Sequence, residues 1–263
     1  MKCLSFLLLI VFIVPVTAQR RAPVLPGGRV VDLSHAFDAS TVYWPTAEGF
    51  KLETDFEGMT EKGYFYSAYR YSAAEHGGTH LDSPVHFAKG RHTVDEIPLD
   101  QLMGPAVVVD VTNQCAGNAD YQVSVADLQS WERQNGRIAA GTILLLRTGF
   151  GKVYPDRKKY LGTDERGADA VAKLHFPGLD PQAARWLTQN RAIKAIGLDT
   201  ASIDYGQSTL FESHRILFEK NIPAFENVAN LDQLPVKGFS VIALPMKIKG
   251  GSGGPLRIVA LVN

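Results

Sequence analysis

The residues best suited to chemistry lie in one short segment, HGGTHLDSPVH, which runs from His76 to His86 and holds three of the seven histidines. His76, His80 and Asp82 are spaced by even numbers, so in an extended segment their side chains point to one face. Two imidazoles and one carboxylate suit Zn²⁺, Mn²⁺ or Fe²⁺. Three protein ligands also leave a position open for water. The spacing therefore predicts a catalytic metal site.

The last histidine of the segment follows Pro84, a residue that breaks a strand. His86 therefore need not face the metal as the first two histidines do. An imidazole with an ordinary pKa of about 6.5 accepts and donates protons near neutral pH, so we predict that His86 carries protons beside the metal. Gly77 and Gly78 permit a bend that brings His76 towards the other ligands. The alternative is that these are exposed or capping histidines, as isolated histidines usually are; their joint spacing favours the metal site.

The elements that must position this segment are predicted from apolar runs and helix signals. The runs are rich in Val and Ile and are bounded by Gly, Pro or Asp, which is typical of buried strands. Ser124 with Asp127 predicts a capped helix, as does Asp180 with Pro181, and residues 209–221 form a third candidate. We expect one α/β domain over residues 30–263, with a mixed, barrel-like sheet flanked by a few helices. The strands are expected over residues 105–111, 141–147, 193–198, 239–245 and 256–262.

The N-terminus has the pattern of a secretory signal, with Lys2 ahead of a short apolar stretch. Residues 1–18 are the expected signal peptide and residues 19–29 a flexible lead-in. The stretch falls short of the roughly 20 residues of a membrane span, so we expect a secreted or lumenal protein that is free of the membrane. Cleavage leaves Cys115 as the one cysteine, which we interpret as a loop thiol. Basic and acidic residues number 27 each, and this balance argues against nucleic acid as a partner.

A second motif suggests a different chemistry. The stretch GGSGG over residues 250–254 fits G-x-S-x-G, with Ser252 at the nucleophile position of a serine hydrolase. That fold places the serine between a strand and a helix, and it needs a carboxylate and then a histidine later in the chain. Here Pro255 and an apolar run follow, and no Asp, Glu or His lies beyond Ser252. The sequence therefore argues against a serine nucleophile.

The segment HGGTHLDSPVH resembles the signature of the cyclase-like metal-dependent hydrolases, H-x-G-T-H-x-D-x-P-x-H, at every position. This family includes bacterial-type kynurenine formamidase and isatin hydrolase. Other segments, from VVDLSHAFD to GGPLRIVALV, follow in the order of the family. The resemblance implies a swivelling β/β/α fold and a homodimer or homotetramer. It also implies a second metal that shares Asp82 and takes His214 and Glu226 as ligands.

The resemblance further implies a metal-dependent amidohydrolase that uses one or two Zn²⁺ or Mn²⁺ ions on a small aromatic amide. Arylformamidase activity, which converts N-formylkynurenine to kynurenine and formate, is the first expectation because it prevails in the family. One alternative is opening of the lactam ring of isatin. Another is a secreted binding protein that keeps the metal but lacks turnover. Trp44 and Phe37 are candidates for aromatic walls of the substrate pocket, and they fit an ordinary core equally well.

Overall fold

The computed structural model describes residues 28–262, so the predicted signal peptide and nearly all of the lead-in lie outside the described residues. Within this range, no helix is long and apolar enough to cross a membrane. The helices of the described residues are α1 (Thr112–Cys115), α2 (Val125–Asn135), α3 (Arg157–Leu161), α4 (Ala168–Val171), α5 (Pro181–Asn190) and α6 (Glu212–Phe218). The strands are β1 (Arg29–Asp32), β2 (Lys51–Met59), β3 (Phe65–Ser72), β4 (His80–Asp82), β5 (Met103–Asp110), β6 (Gln122–Val123), β7 (Ile143–Arg147), β8 (Gly178–Leu179), β9 (Ala195–Leu198), β10 (Ala224–Glu226), β11 (Phe239–Pro245) and β12 (Gly253–Val262).

Seven of these strands close into a mixed barrel. The order β12-β11-β5-β7-β9-β10-β4 returns to β12, and β1 pairs with β12 outside the ring. The strands β5, β7, β9 and β10 run parallel to their neighbours in that series, whereas the other pairs of the ring are antiparallel. The predicted α/β domain with a barrel-like sheet is confirmed.

Alternation of side chains along the barrel strands separates two hydrophobic cores. In β7, Ile143 and Leu145 belong to the core inside the barrel, whereas Leu144 and Leu146 belong to the core under the helices. All four side chains are fully buried. Helices α2, α5 and α6 contribute seven of the 22 buried residues of the outer core. A strand that is buried on both faces shows a continuous apolar run, which is why β7 could be predicted from the sequence.

Two helix starts agree with their sequence signals. The Ser124 hydroxyl accepts from the Asp127 backbone N–H and the Asp127 carboxylate accepts from the Ser124 N–H, which completes a capping box for α2. Asp180 caps α5, which has Pro181 in its first turn. The third predicted helix, over residues 209–221, is too long, since α6 holds only seven residues.

Two features differ from the sequence-based expectation. The hairpin of β2 and β3 was missed, because its residues are exposed on both faces and therefore lack the alternating apolar pattern of a half-buried strand. It pairs with no other strand of the described residues. Cys115 is not a loop thiol: it ends α1 and is 4% exposed in the outer core.

Candidate metal centre

The short strand β4 places the central pair of candidate ligands. It lies between β10 and β12, where the barrel closes. His80 and Asp82 point to the outer face, while Leu81 between them packs in the barrel core. Glu226 of β10 lies directly opposite His80 in the antiparallel register, so its side chain shares that face. His80, Asp82 and Glu226 are 2, 2 and 3% exposed, which places three titratable groups out of contact with bulk water.

Two further histidines reach the same place from outside the strand. His76 belongs to a bend before β4 rather than to extended strand, as Gly77 and Gly78 were predicted to permit. The bend packs tightly, since a Cβ on Gly77 would lie 2.0 Å from Cδ1 of Tyr43. His214 belongs to α6, and its backbone N–H donates to the carboxylate of Asp204. The structure thus brings a bend, a strand pair and a helix to one point.

The five residues form two groups that share Asp82. In the first group, Asp82 Oδ1 lies 2.7 Å from His76 Nδ1 and 3.0 Å from His80 Nε2. In the second group, His214 Nε2 lies 3.3 Å from Asp82 Oδ2 and 3.2 Å from Glu226 Oε1. Within each group the ligand atoms lie within 4.8 Å of one another. Each oxygen of the central carboxylate therefore faces a different set of ligands.

The ligand nitrogen and oxygen atoms of the two groups are arranged for binding a cation and not for hydrogen bonding to one another. The Nδ1 atom of His80 lies 2.9 Å from the Gly78 carbonyl, to which it donates, so that Nε2 is left facing the carboxylates. That Nε2 atom is buried and makes no hydrogen bond of acceptable geometry, although Asp82 Oδ1 lies 3.0 Å away. His214 is oriented in the same way by Asp204, whose Oδ2 lies 2.6 Å from Nδ1. Converging imidazole lone pairs and carboxylate oxygens need a cation between them, and this ligand set fits Zn²⁺ or Mn²⁺.

Burial and charge act in opposite directions on these groups. Burial alone would lower the pKa of His80, but the carboxylates of Asp82 and Glu226 raise it to about 9. Burial also opposes protonation of His214, yet contacts with Asp204, Asp82 and Glu226 hold its pKa well above the ordinary value. Burial, followed by the charge of Asp82, raises the pKa of the Glu226 carboxyl. The cluster therefore attracts positive charge, whether as protons or as a metal ion.

His86 lies beside the first group and belongs to neither. Its ring stacks on that of His76, with the ring centroids 3.8 Å apart. Burial lowers the pKa of His86 to about 4, against the opposing charge of Asp82. This pKa lies below the ordinary value of about 6.5 that the sequence analysis assumed, and the ring is neutral at pH 7. A neutral imidazole at the cavity wall can accept a proton.

A cavity of about 290 Å³ lies over the two groups, with the five candidate ligands among its lining residues. Its walls include the aromatic rings of Trp44, Phe87 and Phe211. Trp44 therefore lies at the predicted pocket. Phe37 is not among the lining residues; its ring packs near Phe50, with centroids 5.8 Å apart, which agrees with the packing role that was the alternative for it. Phe87 was missed although it directly follows the metal segment, and Phe211 lies just before α6 without a local signal.

A sequence profile described as putative cyclase matches residues 31–205. The chain belongs to the cyclase family. Isatin hydrolase of Roseibium aggregatum is 30% identical to this cyclase-family chain over 245 residues, which cover 86% of the chain and 90% of the relative. Kynurenine formamidase of Salinibacter ruber is 27% identical over 231 residues, which cover 88% of the chain and 96% of that relative.

Solved structures give the same assignment. Isatin hydrolase A from Labrenzia aggregata, bound to benzyl benzoate, matches this cyclase-family chain with a TM-score of 0.80 and 33% identity. The match covers 89% of the chain and 93% of the solved one. Isatin hydrolase A from Ralstonia solanacearum also has a TM-score of 0.80, with 34% identity over 89% of the chain and 92% of that structure. The similarity extends over nearly the whole domain, so the barrel and its helices are features of the family.

Proposed function

We propose that this protein is a metal-dependent hydrolase that opens the cyclic amide of a small, uncharged aromatic compound of the isatin type. The observation that carries the proposal is the pair of ligand groups sharing Asp82 at an aromatic-walled cavity. The similarity to isatin hydrolases, in sequence and in fold, supports it.

The candidate ligands would hold one or two divalent ions. A bound ion of this kind polarises a carbonyl group and lowers the pKa of water towards neutrality. The rings of Trp44, Phe87 and Phe211 hold a flat aromatic substrate so that its amide carbonyl faces the ligands. His86, neutral at pH 7, accepts a proton from the attacking water. It returns that proton to the amide nitrogen as the C–N bond breaks, which leaves a free amine and a carboxylic acid; the acid then loses its proton to solvent and becomes a carboxylate.

The charges around the cavity favour a neutral substrate. The lining residues that the structure describes include no Lys or Arg. Two guanidinium groups lie behind the wall, but both donate to backbone carbonyls: Arg157 to Tyr43 at 3.0 Å, and Arg166 to Ala47. N-formylkynurenine carries an amino-acid carboxylate, and burying an unpaired charge is unfavourable. Isatin carries no such charge, so its entry into this cavity lacks that penalty.

Arylformamidase activity, the first expectation from the sequence, is the second candidate. The similarity to kynurenine formamidases supports it. The chemistry is the same for both substrates, because water attacks an amide carbonyl and the nitrogen leaves with a proton. The two candidates differ in what surrounds the amide: a fused ring in isatin, and a free formyl group with a charged tail in N-formylkynurenine.

The experiment compares kcat/KM for three compounds on the zinc- or manganese-loaded protein. They are isatin, N-formylkynurenine and 2′-formamidoacetophenone, which keeps the aryl formamide but lacks the charged amino-acid group. We expect isatin to be the best substrate and the uncharged formamide to exceed N-formylkynurenine. A preference for N-formylkynurenine over both would contradict the lactam proposal and favour arylformamidase. If the protein binds metal and opens none of the three, the binding-protein alternative replaces both.

A further inference from the structure

The Ser252 hydroxyl and the Glu75 carboxylate lie on the side of His76 that faces away from Asp82, and neither takes part in the proposed hydrolysis. The Nε2 atom of His76 lies 2.8 Å from Oγ of Ser252. This hydroxyl lies 2.6 Å from Oε2 of Glu75, and the backbone N–H of Ser252 donates to the same oxygen at 3.0 Å. On the opposite side of the ring, Nδ1 of His76 lies 2.7 Å from Oδ1 of Asp82. The imidazole is therefore held between a hydroxyl and the shared ligand.

Donor and acceptor chemistry gives these contacts a direction. A carboxylate can only accept, so the Ser252 hydroxyl donates its single proton to Glu75. The serine oxygen is then left to accept from Nε2–H of His76. A neutral imidazole has one N–H, so Nδ1 keeps its lone pair on the side that faces Asp82. This is the tautomer that a metal ligand at Nδ1 requires.

The glycines of the GGSGG motif make room for these contacts. A Cβ on Gly253 would lie 2.6 Å from Cε1 of His76, and a Cβ on Gly251 would lie 2.8 Å from Oε1 of Glu75. Side chains at either position would push apart the two partners of Ser252. Gly253 also begins β12, which pairs with the ligand strand β4 and so fixes the motif beside the metal groups. Close packing around Ser252 therefore explains the glycines of GGSGG, a motif that also fits the pattern of a serine nucleophile.

The other two ligand histidines show why His76 needs such a partner. His80 and His214 are held from behind by the Gly78 carbonyl and the Asp204 carboxylate. Both lie on regular elements and have side chains that are 3% exposed. His76 lies in a bend, and its side chain is 24% exposed. Burial therefore fixes its orientation less than it fixes the orientation of the other two histidines.

We propose that Ser252, backed by Glu75, is a positioning residue that holds His76 in the tautomer able to bind metal through Nδ1. The inference rests on the proposed metal centre. Ser252 is not among the residues that line the substrate cavity, which agrees with a role behind the ligand. Partners behind a metal-bound histidine commonly change metal affinity by about 10–100-fold when they are removed.

The test measures zinc affinity by competition with a chromophoric chelator, so it needs no substrate. Ser252→Ala should bind zinc about 10–100-fold more weakly, and Ser252→Thr, which keeps the hydroxyl, should bind nearly as tightly as the wild type. The matched control is Ser34→Ala. The Ser34 hydroxyl also contacts the β12 backbone, at Leu256 and Ile258, but does not contact His76. Ser34→Ala should therefore leave the zinc affinity unchanged.

A spectroscopic measurement separates positioning from general loosening of the fold. In zinc-loaded protein labelled with ¹⁵N-histidine, the Nε2–H proton of His76 should be hydrogen-bonded and slow to exchange in the wild type and in Ser252→Thr. In Ser252→Ala it should exchange rapidly, while the melting temperature of the metal-free variant stays close to that of metal-free wild type. Unchanged zinc affinity and an unchanged His76 proton in Ser252→Ala would overturn the inference, as would wild-type protein that binds no zinc. If zinc affinity follows the expected order but no amide is hydrolysed, the inference stands and the proposed function fails.

Discussion

Replacement of Asp82 should remove both metal ions, whereas replacement of a ligand on either side should remove one. Asp82 belongs to both groups: Oδ1 lies 2.7 Å from His76 Nδ1, and Oδ2 lies 3.3 Å from His214 Nε2. Catalytic zinc sites use three protein ligands. Asp82→Ala leaves two in each group, while His76→Ala affects only the first group and Glu226→Ala only the second. For a wild type that binds two ions per chain, the expected contents are therefore zero, one and one.

The assay is elemental analysis of each variant after equilibration with zinc and removal of free metal by gel filtration. The decrease in melting temperature on adding chelator should follow the metal content of each variant, because an ion that binds only the folded state stabilises it. Asp82→Ala protein that still holds its full complement of zinc would refute the shared-ligand arrangement. Loss of both ions in His76→Ala would show that the two groups are not independent.

Three further predictions concern the acid–base residue, the buried thiol and the assembly. His86→Ala should keep its metal while kcat falls by roughly 10²–10⁴-fold, the usual contribution of a positioned acid–base group; metal loss as severe as in His80→Ala would make His86 a ligand instead. Burial raises the pKa of Cys115 from 9.0 to about 12, so the folded thiol should resist dithionitrobenzoate at pH 8. Because the unfolded thiol ionises first, this contribution to stability is full below pH 9 and is lost as the pH rises towards 12; an alkaline stability slope that is the same in Cys115→Ala would contradict this. We also propose a homodimer or homotetramer, and sedimentation showing a monomer at micromolar concentration would argue against it.

Part of the site could be predicted from the sequence because it is local. His76, His80 and Asp82 lie within one segment, and the period of two in a strand places the last two on one face whatever the rest of the chain does. His214 and Glu226 carry no such signal. A histidine in a helix and a carboxylate at a strand end are ordinary residues, and only the family resemblance singled them out. The register that sets Glu226 opposite His80 is a long-range property of the barrel.

Three further residues could not be placed from the sequence for similar reasons. Phe37 was a candidate pocket wall because flat aromatic ligands favour aromatic walls, but its ring packs near Phe50 and does not line the cavity. Phe211 reaches the cavity only because α6 covers the outer face of the barrel. Ser252 was weighed as a nucleophile and set aside, and its position behind His76 depends on the pairing of β12 with β4. Helix docking and strand pairing, which single residues do not encode, decide the last two cases.

The most direct test of metal-dependent amide hydrolysis is the rate of isatin ring opening by chelator-treated protein as Zn²⁺ or Mn²⁺ is added back. The chelator should abolish turnover. Activity should then return in proportion to the added metal and level off at no more than two ions per chain, in line with the two groups that share Asp82. Chelator-treated protein that contains no metal by elemental analysis and still opens isatin at the full rate would contradict the central claim.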